Sequence, residues 1–160
     1  MKLADAVKMA EDSADVKALK ARGAFFCSAY VMLNPKQKID AWNLSYYVPK
    51  TGKMVPVAVS EKGVATEDAD VPLHEKTYAP FDKMPETDEA TALQTALRNA
   101  EESKIKPVKI ILAVQKNGME YWNVTFLEAS GMALNVRIDA HSGEVLLVEK
   151  SNLMSGGKQA

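Results

Sequence analysis

The second half of the chain carries two successive hydrophobic periods. Leu93, Ala96, Leu97 and Ala100 follow the i, i+3, i+4, i+7 spacing of a helix with one apolar face. Pro85 and Thr87-Asp88 precede it, and either Thr87 or Asp88 can cap its free N–H groups. Small alanines on that face would let the helix lie close to a sheet. Pro107 ends the helical stretch. A period of two then takes over. Val108, Ile110, Leu112 and Val114 alternate with Lys109, Ile111, Ala113 and Gln115, the pattern of a half-buried strand. Asn117-Gly118 is a strong hairpin signal, because both residues tolerate positive φ. Trp122, Val124 and Phe126 alternate with Tyr121, Asn123 and Thr125 in a second strand. Leu134, Val136 and Ile138 alternate with Asn135, Arg137 and Asp139 in a third, and Val145-Leu146-Leu147-Val148 makes a fourth. Turns at Ala129-Ser130-Gly131 and Ser142-Gly143 separate them. The pattern predicts one helix followed by a four-stranded antiparallel meander, with the helix covering the apolar face of the sheet.

The first half reads similarly but more loosely. Leu3, Ala6, Val7 and Ala10 form a helical stripe, and a second helical turn or short helix through Val16 and Leu19 ends at Gly23, a C-cap candidate. Residues 24–33, 39–48 and 53–60 read as strands. Pro35 marks the first turn, and Pro49 with Thr51-Gly52 marks the second. After Gly63 the chain is rich in acids and prolines, and no clear fourth strand is predicted there.

The two halves resemble each other. Trp42-Asn43-Leu44-Ser45-Tyr46 aligns with Trp122-Asn123-Val124-Thr125-Phe126. Thr51-Gly52 aligns with Ser130-Gly131, and Val55, Val57 and Val59 align with Leu134, Val136 and Ile138. Upstream, Ala6-Val7-Lys8-Met9-Ala10-Glu11 aligns with Ala96-Leu97-Arg98-Asn99-Ala100-Glu101. Matches in the same order predict two copies of one small unit. The expected organisation is a divergent first repeat over 1–65, an acidic, proline-containing connection over 66–86, a second repeat over 87–152 and a flexible tail over 153–160. Each copy alone buries only a modest core, so the copies are expected to pack together as a pseudo-dimer within one chain.

Composition narrows the function. In 160 residues, 20 Lys and Arg face 21 Asp and Glu, for a net charge of -1. A basic footprint for nucleic acid is missing. No run approaches a membrane span, and no apolar signal-peptide core follows Lys2. The chain has 1 cysteine, so Cys27 has no internal disulfide partner; it lies in an apolar run and reads as a core thiol. The triplets Asn43-Leu44-Ser45 and Asn123-Val124-Thr125 fall in predicted strands and carry no glycosylation argument beyond their matching positions.

The second copy resembles the PepSY domain family. The resemblance rests on its helix, on the Trp122-Asn123-Val124 strand and on Val136-Arg137-Ile138-Asp139-Ala140-His141-Ser142-Gly143-Glu144-Val145-Leu146, where Ser142 replaces the family's usual Thr. In the first copy the equivalent turn is Ser60-Glu61-Lys62-Gly63, without the Asp and Glu. The resemblance implies an α+β fold of two tandem cystatin-like units, each one helix packed on a four-stranded antiparallel meander. It also implies a non-catalytic domain that binds a protein partner, peptidases among them, and an exported or cell-envelope location if a signal has been removed.

The candidate chemistry is sparse. Asp139, Gly143 and Glu144 read as a structural turn: Asp139 accepts from backbone N–H groups, Gly143 supplies positive φ and Glu144 opens the last strand. His74, His141 and Cys27 show no spacing that would build a nucleophilic site, and His141 with Asp139 and Glu144 makes a weak metal set. No phosphate loop is present, and no cofactor is implied. Trp42 and Trp122 are expected in the core. By strand alternation Tyr47 and Tyr121 point to the opposite face, where with Asn123 and Arg137 they form the candidate binding surface. Three functions follow: a protein-binding module, a small-ligand carrier with a cystatin-like pocket and, last, an enzyme. The first predicts an exposed apolar or aromatic sheet face or an unpaired strand. The second predicts an enclosed apolar cavity, and the third a cleft with perturbed ionisable groups.

Overall fold

A computed structural model describes residues 1–70, 78–153 and, for the backbone, 157–159. The chain is α+β with antiparallel strands, and it forms two compact units. One comprises Met1–Tyr30 and Ile39–Met84, the other Val31–Lys38 and Pro85–Ala160. Of the expected connection over 66–86, residues 71–77 lie outside the described residues, as do 154–156 and 160 of the expected tail.

The first unit begins with α1 (Leu3–Asp12) and α2 (Ala14–Ala21). The family layout implies one helix per unit; the second helical segment that the pattern places through Val16 and Leu19 is a separate helix, α2. Ser13 interrupts the helical run with an extended backbone, and its hydroxyl accepts from the Val16 N–H at 3.3 Å to cap α2. The strands β1 (Phe25–Leu33, of which Phe25–Tyr30 belong to this unit), β2 (Ala41–Val48), β3 (Lys53–Ser60) and β4 (Gly63–Thr66) follow as a meander ordered β4-β3-β2-β1. The short β4 is the fourth strand that the acidic sequence obscured; it pairs Val59 with Val64 and Val57 with Thr66. Helix α1 packs on β2 and β3. Leu3, Ala6 and Ala10 meet Trp42, Leu44, Tyr46, Val55, Val57 and Val59 in a closed core.

The second unit contains α3 (Glu89–Glu102), β5 (Pro107–Asn117), β6 (Met119–Glu128), β7 (Met132–Asp139), β8 (Val145–Asn152) and the short β9 (Gly157–Gln159). Asp88 caps α3, its carboxylate accepting from the Thr91 N–H at 2.8 Å. The strand order is β5-β6-β7-β8-β9. Helix α3 packs on β6 and β7. Its fully buried row is Ala92, Ala96 and Ala100, at i, i+4 and i+8, while Leu93 and Leu97 are half-buried. The smallest side chains take the line of closest approach to the sheet, and the leucines flank it. Opposite lie Ile110, Leu112, Val114, Trp122, Val124, Phe126, Leu134, Val136 and Ile138, all buried. Val108 was read on this face but is 51% exposed. A register shift between Pro107 and Lys109 takes the start of β5 out of phase with the rest of the strand.

The two meanders have matching registers. Trp42 pairs with Val59 and Trp122 with Ile138; Leu44 pairs with Val57 and Val124 with Val136; Tyr46 pairs with Val55 and Phe126 with Leu134.

Candidate functional site

Three regions of the second unit bear on function. The first is the sheet face turned away from α3. Alternation puts Tyr121, Asn123 and Thr125 of β6 there, beside Asn135 and Arg137 of β7. Asn123 and Arg137 stand directly opposite each other across the strands. The Arg137 guanidinium lies over the Tyr121 ring at 5.2 Å from its centroid, and the Gln115 amide donates to the Tyr121 hydroxyl at 2.7 Å. The Asn135 amide donates to the Thr125 hydroxyl at 3.0 Å. Tyr121 is therefore not the exposed aromatic that alternation predicted. It points to the expected face but is only 7% exposed, because Arg137 and Gln115 cover it from the neighbouring strands. Arg137 is exposed and Asn123 half-buried, and the Asn123 carbonyl oxygen is buried without a hydrogen-bond partner. Tyr47, the fourth residue of the expected surface, belongs to the first unit. It is half-buried between Phe25 (5.7 Å) and Tyr78 (4.9 Å), so the four residues are not one cluster within a single unit.

The second region is the acidic turn between β7 and β8. The Asp139 carboxylate accepts from the backbone N–H groups of His141 (2.8 Å) and Ser142 (3.0 Å). These two bonds, the His141 one first, hold its carboxyl below the usual Asp range. Gly143 has φ +78°, and a Cβ there would lie 3.2 Å from the Thr87 hydroxyl. That hydroxyl donates to the His141 carbonyl at 3.2 Å, and the Thr87 N–H donates to the Ala140 carbonyl at 2.8 Å. The turn is thus clasped to the residues before α3. Glu144 is exposed, and its backbone carbonyl accepts from the Asp139 N–H. The His141 ring stands between Glu86 (3.5 Å) and the buried Glu120 (3.7 Å). The Asp139 carboxylate and the Gly143 N–H, which donates to the Asp139 carbonyl at 3.0 Å, both take part in the turn's own hydrogen bonds.

The third region is β8. Its outer edge is covered by β9 at Lys150, Ser151 and Asn152. Along Val145–Val148 no strand pairs with that outer side among the described residues. Val145 is 42% exposed, Leu146 46% and Val148 43%. Val145 pairs with Ile138 and Val148 with Val136, so both lie on the α3 side of the sheet, with a register shift between them. Sequence reasoning found the strand but not its exposure. The signal present was the uninterrupted Val-Leu-Leu-Val run, which offers apolar side chains to both faces of a strand at the end of a meander.

Elsewhere, Cys27 is buried, its thiol 3.4 Å from the Ser45 carbonyl and 3.2 Å from the Met54 sulfur. His74 lies outside the described residues. Among the described residues no group of three His, Cys, Asp or Glu side chains is arranged to hold a metal, and no helix is long and apolar enough to cross a membrane. A surface cleft of about 370 Å³ in the first unit is lined by Asp15, Leu19, Arg22, Val55 and Thr66 among others.

Residues 88–149 match the family model described as "Peptidase propeptide and YPEB domain", the PepSY family. The match begins at the cap of α3 and ends within β8. A candidate lipoprotein from Clostridium difficile 630, known by crystal structure, superposes with a TM-score of 0.63 at 12% identity, covering 94% of this chain and 93% of that one. The likeness is one of fold. Comparison with curated proteins finds no match.

Proposed function

We propose, from the premise that residues 88–149 form a PepSY domain, that this chain is a non-catalytic protein-binding module that modulates or inhibits a peptidase or another exported partner. PepSY domains are in general regulatory, propeptide-type modules without catalysis of their own, and no catalytic family is indicated for this chain. The observation that carries the reading is β8. A binding module needs an apolar surface left open by its own fold, and Val145, Leu146 and Val148 supply one inside the matched region. The carrier alternative needs an enclosed apolar cavity, whereas the cleft beside α2 is open and edged by Asp15 and Arg22.

The same proposal includes the tandem layout: a divergent first repeat over 1–65 and a second over 87–152, both cystatin-like. The matching β2/β3 and β6/β7 registers support the duplication. An exported or envelope location also belongs to it, supported by the description of the structural neighbour as a lipoprotein candidate.

The test is direct. The purified chain is titrated into a thermolysin-like metallopeptidase, with hydrolysis of a chromogenic peptide followed and complex formation measured by calorimetry. Saturable binding or dose-dependent inhibition is expected. A chain that neither binds nor inhibits, and that captures no protein from the envelope fraction of its source cells, overturns the reading.

A further inference from the structure

We propose that Arg137 and Asn123, on the sheet face turned away from α3, hold an acidic side chain of the partner polypeptide. The inference rests on the protein-binding reading above and names the chemistry of one contact on the matched domain.

The face is built as cross-strand rows. Ala113, Asn123, Arg137 and Leu147 stand in one row across β5, β6, β7 and β8. Residues directly opposite on one face have Cβ atoms about 4.5–5.5 Å apart, so the ends of Asn123 and Arg137 can reach one small group together. Arg137 is exposed and pairs with no carboxylate among the described residues. The two carboxylates that share the face are engaged already. Asp139 accepts from the His141 and Ser142 N–H groups of its own turn, and Glu149, opposite Asn135, has a partner of its own. The Asn123 carbonyl oxygen is buried, which leaves its amide nitrogen as the end toward the surface. That nitrogen donates to no group among the described residues.

The guanidinium is held before any ligand arrives. It lies over Tyr121 at 5.2 Å from the ring centroid, and Gln115 fixes the hydroxyl of that ring at 2.7 Å. An exposed ion pair is ordinarily weak, partly because two long side chains must be ordered to form it, and here one of them is ordered in advance.

The fold does not require this arrangement. The matching registers make Asn43 the counterpart of Asn123, Ala58 that of Arg137 and Ala41 that of Tyr121. The first unit thus builds the same ladder with alanine where the second carries the cation and the ring.

The donor set selects the occupant. A guanidinium matches a carboxylate with two parallel N–H···O bonds, and the Asn123 amide adds a further donor beside it. The outward groups donate and do not accept, so the occupant is an anionic acceptor. Half-buried Ile111, Ala113 and Leu147 flank the pair on the same face and suit apolar residues on either side of the acid. An aspartate or glutamate set among apolar residues of a polypeptide meets both demands, whereas a bare anion meets only the first.

The experiment titrates the whole chain with a synthetic peptide, acetyl-Thr-Val-Leu-Glu-Leu-Val-Thr-amide, and follows the Arg137 Nε–H signal by NMR. That signal is expected to move in a saturable way, and the same peptide with Gln for Glu is expected to bind about tenfold more weakly, the equivalent of ~1.4 kcal/mol. Arg137→Gln should weaken binding of the Glu peptide by a similar factor, and Asn123→Ala, which leaves the guanidinium in place, by about threefold, the equivalent of ~0.65 kcal/mol. If either variant fails to fold, the Glu and Gln peptides on the unaltered chain decide. An unmoved Arg137 signal, equal affinity for the two peptides, or full affinity in either folded variant overturns the proposal. So does acetate binding as tightly as the Glu peptide, which would show a contact for any anion. A Gln peptide that binds only when its C-terminal carboxylate is free, while the amidated Glu peptide does not bind, also overturns it. If the wild-type chain binds the peptidase and Arg137→Gln binds it equally well, the acidic contact falls while the binding-module reading stands. If the wild-type chain binds no peptidase, that reading fails, and the peptide titration still decides the contact.

Discussion

The indole N–H of Trp122 donates to the backbone carbonyl of Thr87 at 2.8 Å, tying the middle of the sheet to the residue that leads into α3. The first unit repeats the arrangement: the Trp42 indole donates to the Met1 carbonyl at 3.1 Å, just before α1. Both rings are buried on the second strand of a meander, and both fix where the leading helix starts. An indole buried against a helix needs a partner for its N–H, and a carbonyl just ahead of the helix supplies one.

Trp122→Phe keeps an aromatic ring but removes the donor and some volume. The loss of one buried hydrogen bond, with its acceptor left behind, is expected to cost about 1–3 kcal/mol in urea unfolding. Trp42→Phe should give a loss of similar size. A cost at only one of the two positions would show that the tryptophans play different parts in their units.

Asp139 is held by two backbone N–H groups that favour its charged form. Its folded pKa is depressed, so its contribution to stability is present above the ordinary Asp range and lost as pH falls through the lower folded value. Asp139→Ala should cost about 1 kcal/mol near neutrality, the worth of its turn bonds. The gap between wild type and variant should close in acid. A gap that stays constant down to the acid limit would mean that the carboxylate charge is not what holds the turn.

Gly143→Ala meets two obstacles, a φ of +78° and a Thr87 hydroxyl 3.2 Å from the new Cβ. The backbone penalty alone is about 1–2 kcal/mol. At Gly118, also at φ +78°, a Cβ meets nothing within 4 Å. The variant at 143 should therefore be the less stable of the two by thermal unfolding. Equal melting temperatures would show that Thr87 yields freely.

The Tyr46 hydroxyl is buried without a hydrogen-bond partner; Glu11 lies near it but not in bonding geometry. Burial first, and the Glu11 charge second, push its pKa above the ordinary tyrosine value. A raised tyrosine keeps its stabilising contribution below the unfolded value near 10 and loses it as pH climbs beyond. Tyr46→Phe should leave stability at neutral pH unchanged or higher by up to about 1 kcal/mol, and it should flatten the alkaline decline. A loss clearly larger than that in chemical denaturation would mean the hydroxyl is paired after all.

Much of the fold was legible one residue at a time. The helix over Glu89–Glu102, the strands around Trp42 and Trp122 and the Asp139 turn depend on side-chain period, capping and turn chemistry, all of which act over a few residues. The candidate surface was less legible. Alternation correctly assigned Tyr121 and Arg137 to one face, but it could not report that Arg137 reaches across to cover the ring.

The sequence by itself determined that the chain forms helices on antiparallel meanders, which positions point inward, and that its second half resembles PepSY domains. These follow from local periods and short motifs. Only the tertiary structure decided which apolar residues stay in water. Val145 and Val148 share a face with the buried Ile138 and Val136, yet remain more than 40% exposed. Helix α3 packs over β6 and β7, and burial depends on how far a covering element reaches across neighbouring strands, a distance that no pattern within a single strand records.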